Sequence, residues 1–340
     1  MALNKRCAPL IFNTFVKPFF RLIRFDNLLF LIILIGVMEK WVVAPIMNHF
    51  LLPEPLLWWH LLLLIVAVVC IAAGGYVIND YFDVKIDRIN HPDELVVTRD
   101  VTKEQAMHLF YGFTAVGIAS GVALSIVLKS TALFTVFVLI PGLLWFYSAS
   151  YKRQFLLGNL IVSVLAALVP ITVGLAGDAA VKLAYGEDAF GTMLYANVYI
   201  YLLFFSAFAF LCTWIREVIK DIEDQEGDRE LECHTWAVKF GTRSAQVFAT
   251  ILIIIAMGAL SWVEFSLLPP FSWSSLACRF YLFLMVGFVS ELALLWSAQL
   301  PQDFKHAQQL MKLIMFIGML FSFCVSSLIQ ECLYQRLNPS

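Results

Sequence analysis

From residue 25 onward the chain is dominated by long apolar runs separated by short polar stretches. A membrane-crossing helix needs about 20 mostly apolar residues. On that measure nine segments qualify, roughly 25–47, 56–79, 104–127, 131–149, 155–176, 195–217, 245–264, 276–298 and 308–331. The runs are continuous rather than alternating, so they predict helices and not the strands of a barrel. The pattern therefore predicts an all-α polytopic membrane protein. Residues 1–340 are expected to form a single transmembrane domain, with 1–22 as a basic, aromatic lead-in without a cleavable signal peptide and 23–331 as the core.

Composition agrees with this pattern. Hydrophobic residues make up 61% of the chain and charged residues 14%, against roughly 45–50% and about 25% in soluble domains. The net charge of −2 gives no basis for a nucleic-acid partner, and no obligatory protein partner is evident. The seven cysteines are scattered without metal-ligand or disulfide spacing.

The position of the charges matters more than their number. With nine spans, 18 of the 23 Lys and Arg residues fall on the side that holds the N-terminus, four fall on the other side, and Lys40 lies inside the first span. The positive-inside rule places the basic side in the cytoplasm and the protein in the cytoplasmic membrane. Fifteen of the 25 carboxylates also gather on that side, in the stretches after the second and sixth spans.

Within "NDYFDVKIDRIN", Asn79, Asp83 and Asp87 stand at i, i+4 and i+8. On a helix they share one face, drifting by about 40° over two turns. In "REVIKDIEDQEGDRE", Asp221, Asp224 and Asp228 stand at i, i+3 and i+7, again on one face. Either motif alone reads as solvated charge at a membrane surface. Together, two carboxylate stripes at matching helix ends would repel each other unless divalent cations neutralised them. Oxygen-only donors suit Mg²⁺, which takes a few carboxylates together with substrate phosphate oxygens. That arrangement would bind a diphosphate and help it leave.

Fixed positive charge lies nearby at Arg24, Arg88, Lys152, Arg153, Arg216 and Lys220, each also readable as a membrane anchor. Trp145, Phe146, Tyr147 and Tyr151 are either an interfacial belt or the lining of a pocket for a carbocation. Glu39 and Lys40 lie in the outer half of the first span and read as snorkelling side chains. His91 and His234 have no ligand spacing and read as unremarkable loop residues.

The two motifs, with Asn79, Asp80, Asp83 and Asp87 in the first and Asp221, Asp224 and Asp228 in the second, resemble those of the UbiA superfamily of intramembrane prenyltransferases. Arg24 and Asn27 in "RFDN", and Tyr147, Ser148, Lys152, Arg153 and Asn159 around the fourth span, add to the resemblance, which covers residues 20–331. It implies nine helices bundled around a central cavity that opens to lipid. It also implies a prenyl diphosphate held by Mg²⁺ on the motifs and a membrane-embedded lipid or aromatic acceptor. Asp83, Asp221 and Lys152 would be catalytic, with Arg24, Asn27, Arg88, Tyr147, Arg153, Arg216 and Lys220 binding substrate.

The second motif is most similar to the branch that alkylates geranylgeranylglyceryl phosphate, while aromatic quinone-precursor enzymes carry a related string. The chain departs from the family pattern at "NHPDELVVTRDVT" and at Glu232, both in the loops where the acceptor would enter. A cation transporter would place its ionisable groups near the midplane, and the signature of a phosphatidyl-alcohol transferase is absent from the sequence.

Overall fold

The computed structural model describes residues 16–49, 56–186, 192–266, 275–324 and 326–327. Residues 1–15 of the lead-in, Arg336 and the end of the ninth predicted span lie outside the described residues. Regular structure among these residues is helical, apart from an isolated bridge between Val97 and Val101. Nine helices among them are long and apolar enough to cross a membrane. They are α1 (Phe25–Asn48), α2 (Trp58–Asn90), α3 (Lys103–Val127), α4 (Thr131–Ala149), α5 (Leu157–Tyr185), α6 (Thr192–Glu223), α7 (Thr242–Ser266), α8 (Leu276–Ser297) and α9 (Pro301–Leu320). The protein is an integral membrane protein.

Predicted spans 3, 4 and 8 match these helices within a residue, whereas α2, α5 and α6 run well past their apolar segments. The 33 residues of α2 make a rod of about 50 Å, roughly 20 Å longer than the hydrocarbon core. The excess is the polar stretch after Asn79, so the first motif stands on a rigid helical projection. The ninth span begins at Pro301, seven residues before the predicted 308, because Pro301 opens the helix and Asp303 accepts the N–H groups of Gln299 and Leu300, each at 2.9 Å.

Local chemistry fixes the other starts. Thr102 and Gln105 exchange the two bonds of a capping box at α3. The hydroxyls of Ser130 and Ser275 accept from Leu133 and Cys278 at the heads of α4 and α8. α2 and α3 approach closely at Gly117, where an added Cβ would lie 3.0 Å from the Ile71 amide nitrogen and 3.1 Å from the Ala67 carbonyl oxygen. With Gly121 it forms the small-residue repeat that lets membrane helices touch. α1 contains a single π-helical turn, Glu39–Val43.

Three clusters of buried apolar residues hold the bundle together. One lies among α1, α2, α5 and α6, a second among α6, α7, α8 and α9, and a third between α2, α3 and the loop that returns from Asn90. That loop buries Val96, Val97 and Val101 and ties to α9 through Glu94 and Lys305, 2.7 Å apart. Glu39, Glu264 and Glu291 are buried inside spans, so the span interiors hold more ionisable groups than their average hydropathy implies. Glu39 is fully enclosed rather than snorkelling.

Candidate functional site

The first stripe forms as its spacing predicts. Asn79 and Asp83 are both buried on α2, and the Asn79 amide donates to Asp83 at 2.7 Å. Lys152 projects into them from a 3₁₀ turn, Tyr151–Arg153, between α4 and α5. Its ammonium bonds Asp83 and reaches the Asn79 carbonyl oxygen at 3.4 Å. Burial opposes that charge, but Asp83, Tyr147 and Asp87 outweigh it and hold the Lys152 pKa above its ordinary value. Asp80 points off the stripe toward Arg24, 2.9 Å away. Arg24 also lies 5.0 Å from the centre of the Tyr76 ring. It adopts a left-handed backbone (φ 49°) at the head of α1, a conformation costing roughly 1–2 kcal/mol for a residue with a side chain.

The second stripe bends where the first does not. α6 ends at Glu223 and Asp224 caps a short helix, Gln225–Glu230, that carries Asp228. The motif is therefore not one uninterrupted helix, although Asp224 still donates to Lys220 and Asp228 to Asp224 along the i→i−4 ladder. Asp221 accepts from the Asn159 amide on α5 at 2.8 Å. Asp224 accepts from the His91 ring at 2.7 Å. That bond, against the cost of burial, raises the His91 pKa. Burial pushes Asp224 upward, but His91 and Lys220 prevail and lower it. Asp228 has no such partner, and burial followed by the Asp224 charge lifts it to about 6.

The stripes are joined through Asn90. Its amide donates to the Asp224 carbonyl at 3.0 Å and its oxygen accepts from the Gly227 N–H at 2.8 Å. A Cβ on residue 227 would sit 2.6 Å from that oxygen, so any larger residue there would push the Asn90 side chain out of this clasp. His91 is thus a structural member of the site and not the unremarkable loop residue expected from spacing.

A cavity of about 350 Å³ opens beside the stripes. One end is lined by Arg24, Asn27, Asn79, Arg216, Lys220 and Lys312 with the carboxylates of Asp26 and Glu217, a net excess of cations, and the rest by apolar side chains such as Leu34, Ile71, Phe137 and Val169. Tyr147 lines it, while Asp83, Asp221 and Lys152 do not, and Asn79 links it to the Asp83–Lys152 pair.

Two predicted residues are not brought in. Arg88 and Arg153 are exposed and away from the cavity, and the Arg153 carbonyl instead accepts from the His234 N–H at 2.9 Å. Arg88 follows the stripe residue Asp87 on α2 and Arg153 follows Lys152 on its turn, and one step along a helix turns a side chain to another direction. Residues the sequence reading missed are Glu217, buried and 2.5 Å from Arg216, together with Tyr76, Asn90 and Lys312. Signals for two of them existed. Asn90 continues the Asp87 face at i+3, and Lys312 is a lysine inside an apolar run.

Among the described residues no three His, Cys, Asp or Glu side chains converge as metal ligands would. The physical reason is visible. Asp80, Asp83, Asp221 and Asp224 are each engaged by a basic or amide side chain, Arg24, Lys152, Asn159 and His91 respectively.

Residues 42–320 match the UbiA prenyltransferase family. The digeranylgeranylglyceryl phosphate synthase of Ignicoccus hospitalis is 32% identical over 271 residues, which is 78% of this chain and 81% of that protein. The synthase of the same name from Sulfolobus acidocaldarius is 33% identical over 54% of this chain, and the match spans 58% of its own length. A solved structure reported for digeranylgeranylglyceryl phosphate synthase superposes with a TM-score of 0.59 at 21% identity, covering 92% of this chain and 98% of that one. A UbiA homologue from Archaeoglobus fulgidus, solved with GPP and Mg²⁺, superposes at 0.54 with 15% identity, covering 91% and 99%.

Proposed function

Because the chain belongs to the UbiA prenyltransferase family, we propose that it transfers a prenyl group from an allylic prenyl diphosphate, geranylgeranyl or longer, to a glyceryl-phosphate lipid precursor. The observation that carries this reading is the shape of the cavity's chemistry, with a cationic end continuous with an apolar interior. That matches a substrate that is a lipid tail with an anionic head. The names of the relatives support the choice of acceptor, and the substrate bound in the Archaeoglobus structure supports the choice of donor.

In this reading the allylic C–O bond of the donor breaks and the diphosphate leaves. The acceptor hydroxyl oxygen bonds the allylic carbon, and its proton passes to a carboxylate or to the departing diphosphate. Lys152 and Lys220 supply fixed positive charge for the diphosphate. Tyr147 faces the cavity, where its ring can stabilise a developing allylic cation. Asp83 and Asp221 are held in place by Lys152 and Asn159.

The residues present fit Mg²⁺ by donor chemistry. Asn79, Asp83, Asp87, Asp221, Asp224 and Asp228 offer oxygen alone, and the strongest partner on them is a lysine on a flexible stem that a divalent ion can displace. When bound, Mg²⁺ would neutralise the diphosphate and stabilise it as a leaving group. The single domain is read as one such enzyme, lying in the cytoplasmic membrane with its motif end in the cytoplasm, as the 18-to-4 bias of basic residues supports.

The test is a reconstituted assay with geranylgeranyl diphosphate, Mg²⁺ and a side-by-side panel of glyceryl-phosphate and aromatic acceptors. Transfer to the glyceryl phosphate is expected, and transfer only to an aromatic acceptor would reassign the substrate. Asp83→Ala and Asp221→Ala should each lower turnover by at least about 100-fold, the scale at which loss of a positioning or charge-stabilising group is felt. Full activity in both would remove the two-motif mechanism.

A further inference from the structure

In the sequence Lys312 is one more basic residue on the charged side, and the structure gives it a different place. It sits on α9 and turns into the cavity, within electrostatic reach of Arg216 on α6 and Arg24 at the head of α1. Three cations from three separate helical segments thus converge on one end of a membrane cavity. Like charges gathered in a partly desolvated space need an anion among them.

Their existing counter-charges fill that role unevenly, and least at Lys312. Arg24 is committed to Asp80 at 2.9 Å. Arg216 gives one guanidinium nitrogen to Glu217, while its buried Nε has no acceptor among the described residues. Among the described residues Lys312 has only long bonds, to Asp26 Oδ2 at 3.3 Å and Asn27 Oδ1 at 3.2 Å. The Asp26 side chain is 74% exposed, so it can turn into water and yield its place.

Lys152 lies outside the cavity lining, bonded to Asp83, and in the reading above it serves the diphosphate. A transfer between two phosphorylated lipids requires places for two anions. We propose that Arg24, Arg216 and Lys312, with Asn27, form the subsite for the acceptor's phosphomonoester, and that Lys312 is the residue selecting a phosphorylated acceptor. This rests on the function proposed above and specifies how its acceptor is recognised. Arg provides the forked donor geometry suited to phosphate and Lys a mobile point charge.

The experiment compares wild type, Lys312→Gln, Lys312→Arg and Asp26→Asn in Mg²⁺ with geranylgeranyl diphosphate. The acceptors are a glyceryl ether phosphate and the same ether without phosphate, and inorganic phosphate serves as competitor. Loss of a charge-assisted contact should raise the KM for the phosphorylated acceptor about tenfold or more in Lys312→Gln. The KM for the prenyl diphosphate should stay within about twofold, and the KM for the dephosphorylated ether should rise several-fold less than that for the phosphorylated one. Lys312→Arg should restore most of the affinity, and Asp26→Asn, which removes the internal competitor, should lower the acceptor KM.

Inorganic phosphate should compete with the acceptor in wild type and less in Lys312→Gln. An unchanged acceptor KM in Lys312→Gln overturns the assignment, as does an equal rise for both substrates. Direct binding of the phosphorylated ether, measured without donor, separates the two readings. Binding that depends on Lys312 in a protein that transfers nothing would leave the subsite standing and remove the proposed reaction.

Discussion

The Asp83–Lys152 pair is the point at which stability and chemistry compete. Asp83 is almost fully enclosed, with 4% of its side chain exposed, while Lys152 keeps 22%. Removing one member leaves the other charge stranded, which costs more than removing both. Lys152→Met should therefore lower stability by about 2–4 kcal/mol and abolish transfer. Adding Asp83→Leu to it should recover most of the stability and none of the activity, as thermal unfolding and turnover measured on the same preparations would show. Asp228 makes a second prediction. Its carboxyl titrates at about 6 in the fold, above its value in an unfolded chain, so folding favours the protonated form. In metal-free protein its contribution to stability is full below about pH 4 and lost as pH rises through about 6. Thermal melts across that range should show the fall, and in Asp228→Asn the fall should be smaller by that contribution. The spacing rule found Asn79, Asp83, Asp87 and Asp221 on their faces because helical periodicity is local. It gave no access to Lys312 or His91, whose partners lie 285 and 133 residues away.

At the scale of elements, the site depends on one tight contact. Gly158, in the first turn of α5, packs on the turn that carries Lys152, and a Cβ there would lie 2.9 Å from the Lys152 Cα. Backbone cannot swing aside as a side-chain tip can, so Gly158→Ala should displace Lys152. Because about 1 Å of misplacement can cost on the order of 100-fold in rate, activity should drop by about 10- to 100-fold. The melting temperature should change little, since alanine favours the helix. A large loss of stability with normal turnover in the folded fraction would contradict this. Apolar length predicted the positions of all nine helices, yet it misjudged the ends of α2, α5 and α6. Hydropathy marks where lipid stops, whereas a helix continues as long as its backbone and neighbours allow.

For the whole molecule, the unequal sides define an orientation that can be measured. With the seven native cysteines replaced, a cysteine at exposed Pro92 should be labelled by an impermeant maleimide only from the cytoplasmic face. One at exposed Lys129 should be labelled only from the other face. The reverse result would invert the proposed topology. The bundle as a whole could be anticipated from sequence because lipid imposes so strong a constraint on backbone. The resemblance implied a central cavity but not its lining, which is a property of how α1, α2, α4, α5, α6 and α9 lean together and which no single segment encodes.

The Asn90 clasp also has a history in time. Asp83 meets Lys152 after 69 residues of chain, but Asn90 waits 134 residues for the Asp224 carbonyl and 137 for the Gly227 N–H. At synthesis rates of about 5–20 residues per second, the first aspartate stripe spends several seconds in the membrane before its counterpart exists. Lys152 emerges about halfway through that interval, and from then on Asp83 has a counter-charge within the first half of the chain before the second half arrives to close the site.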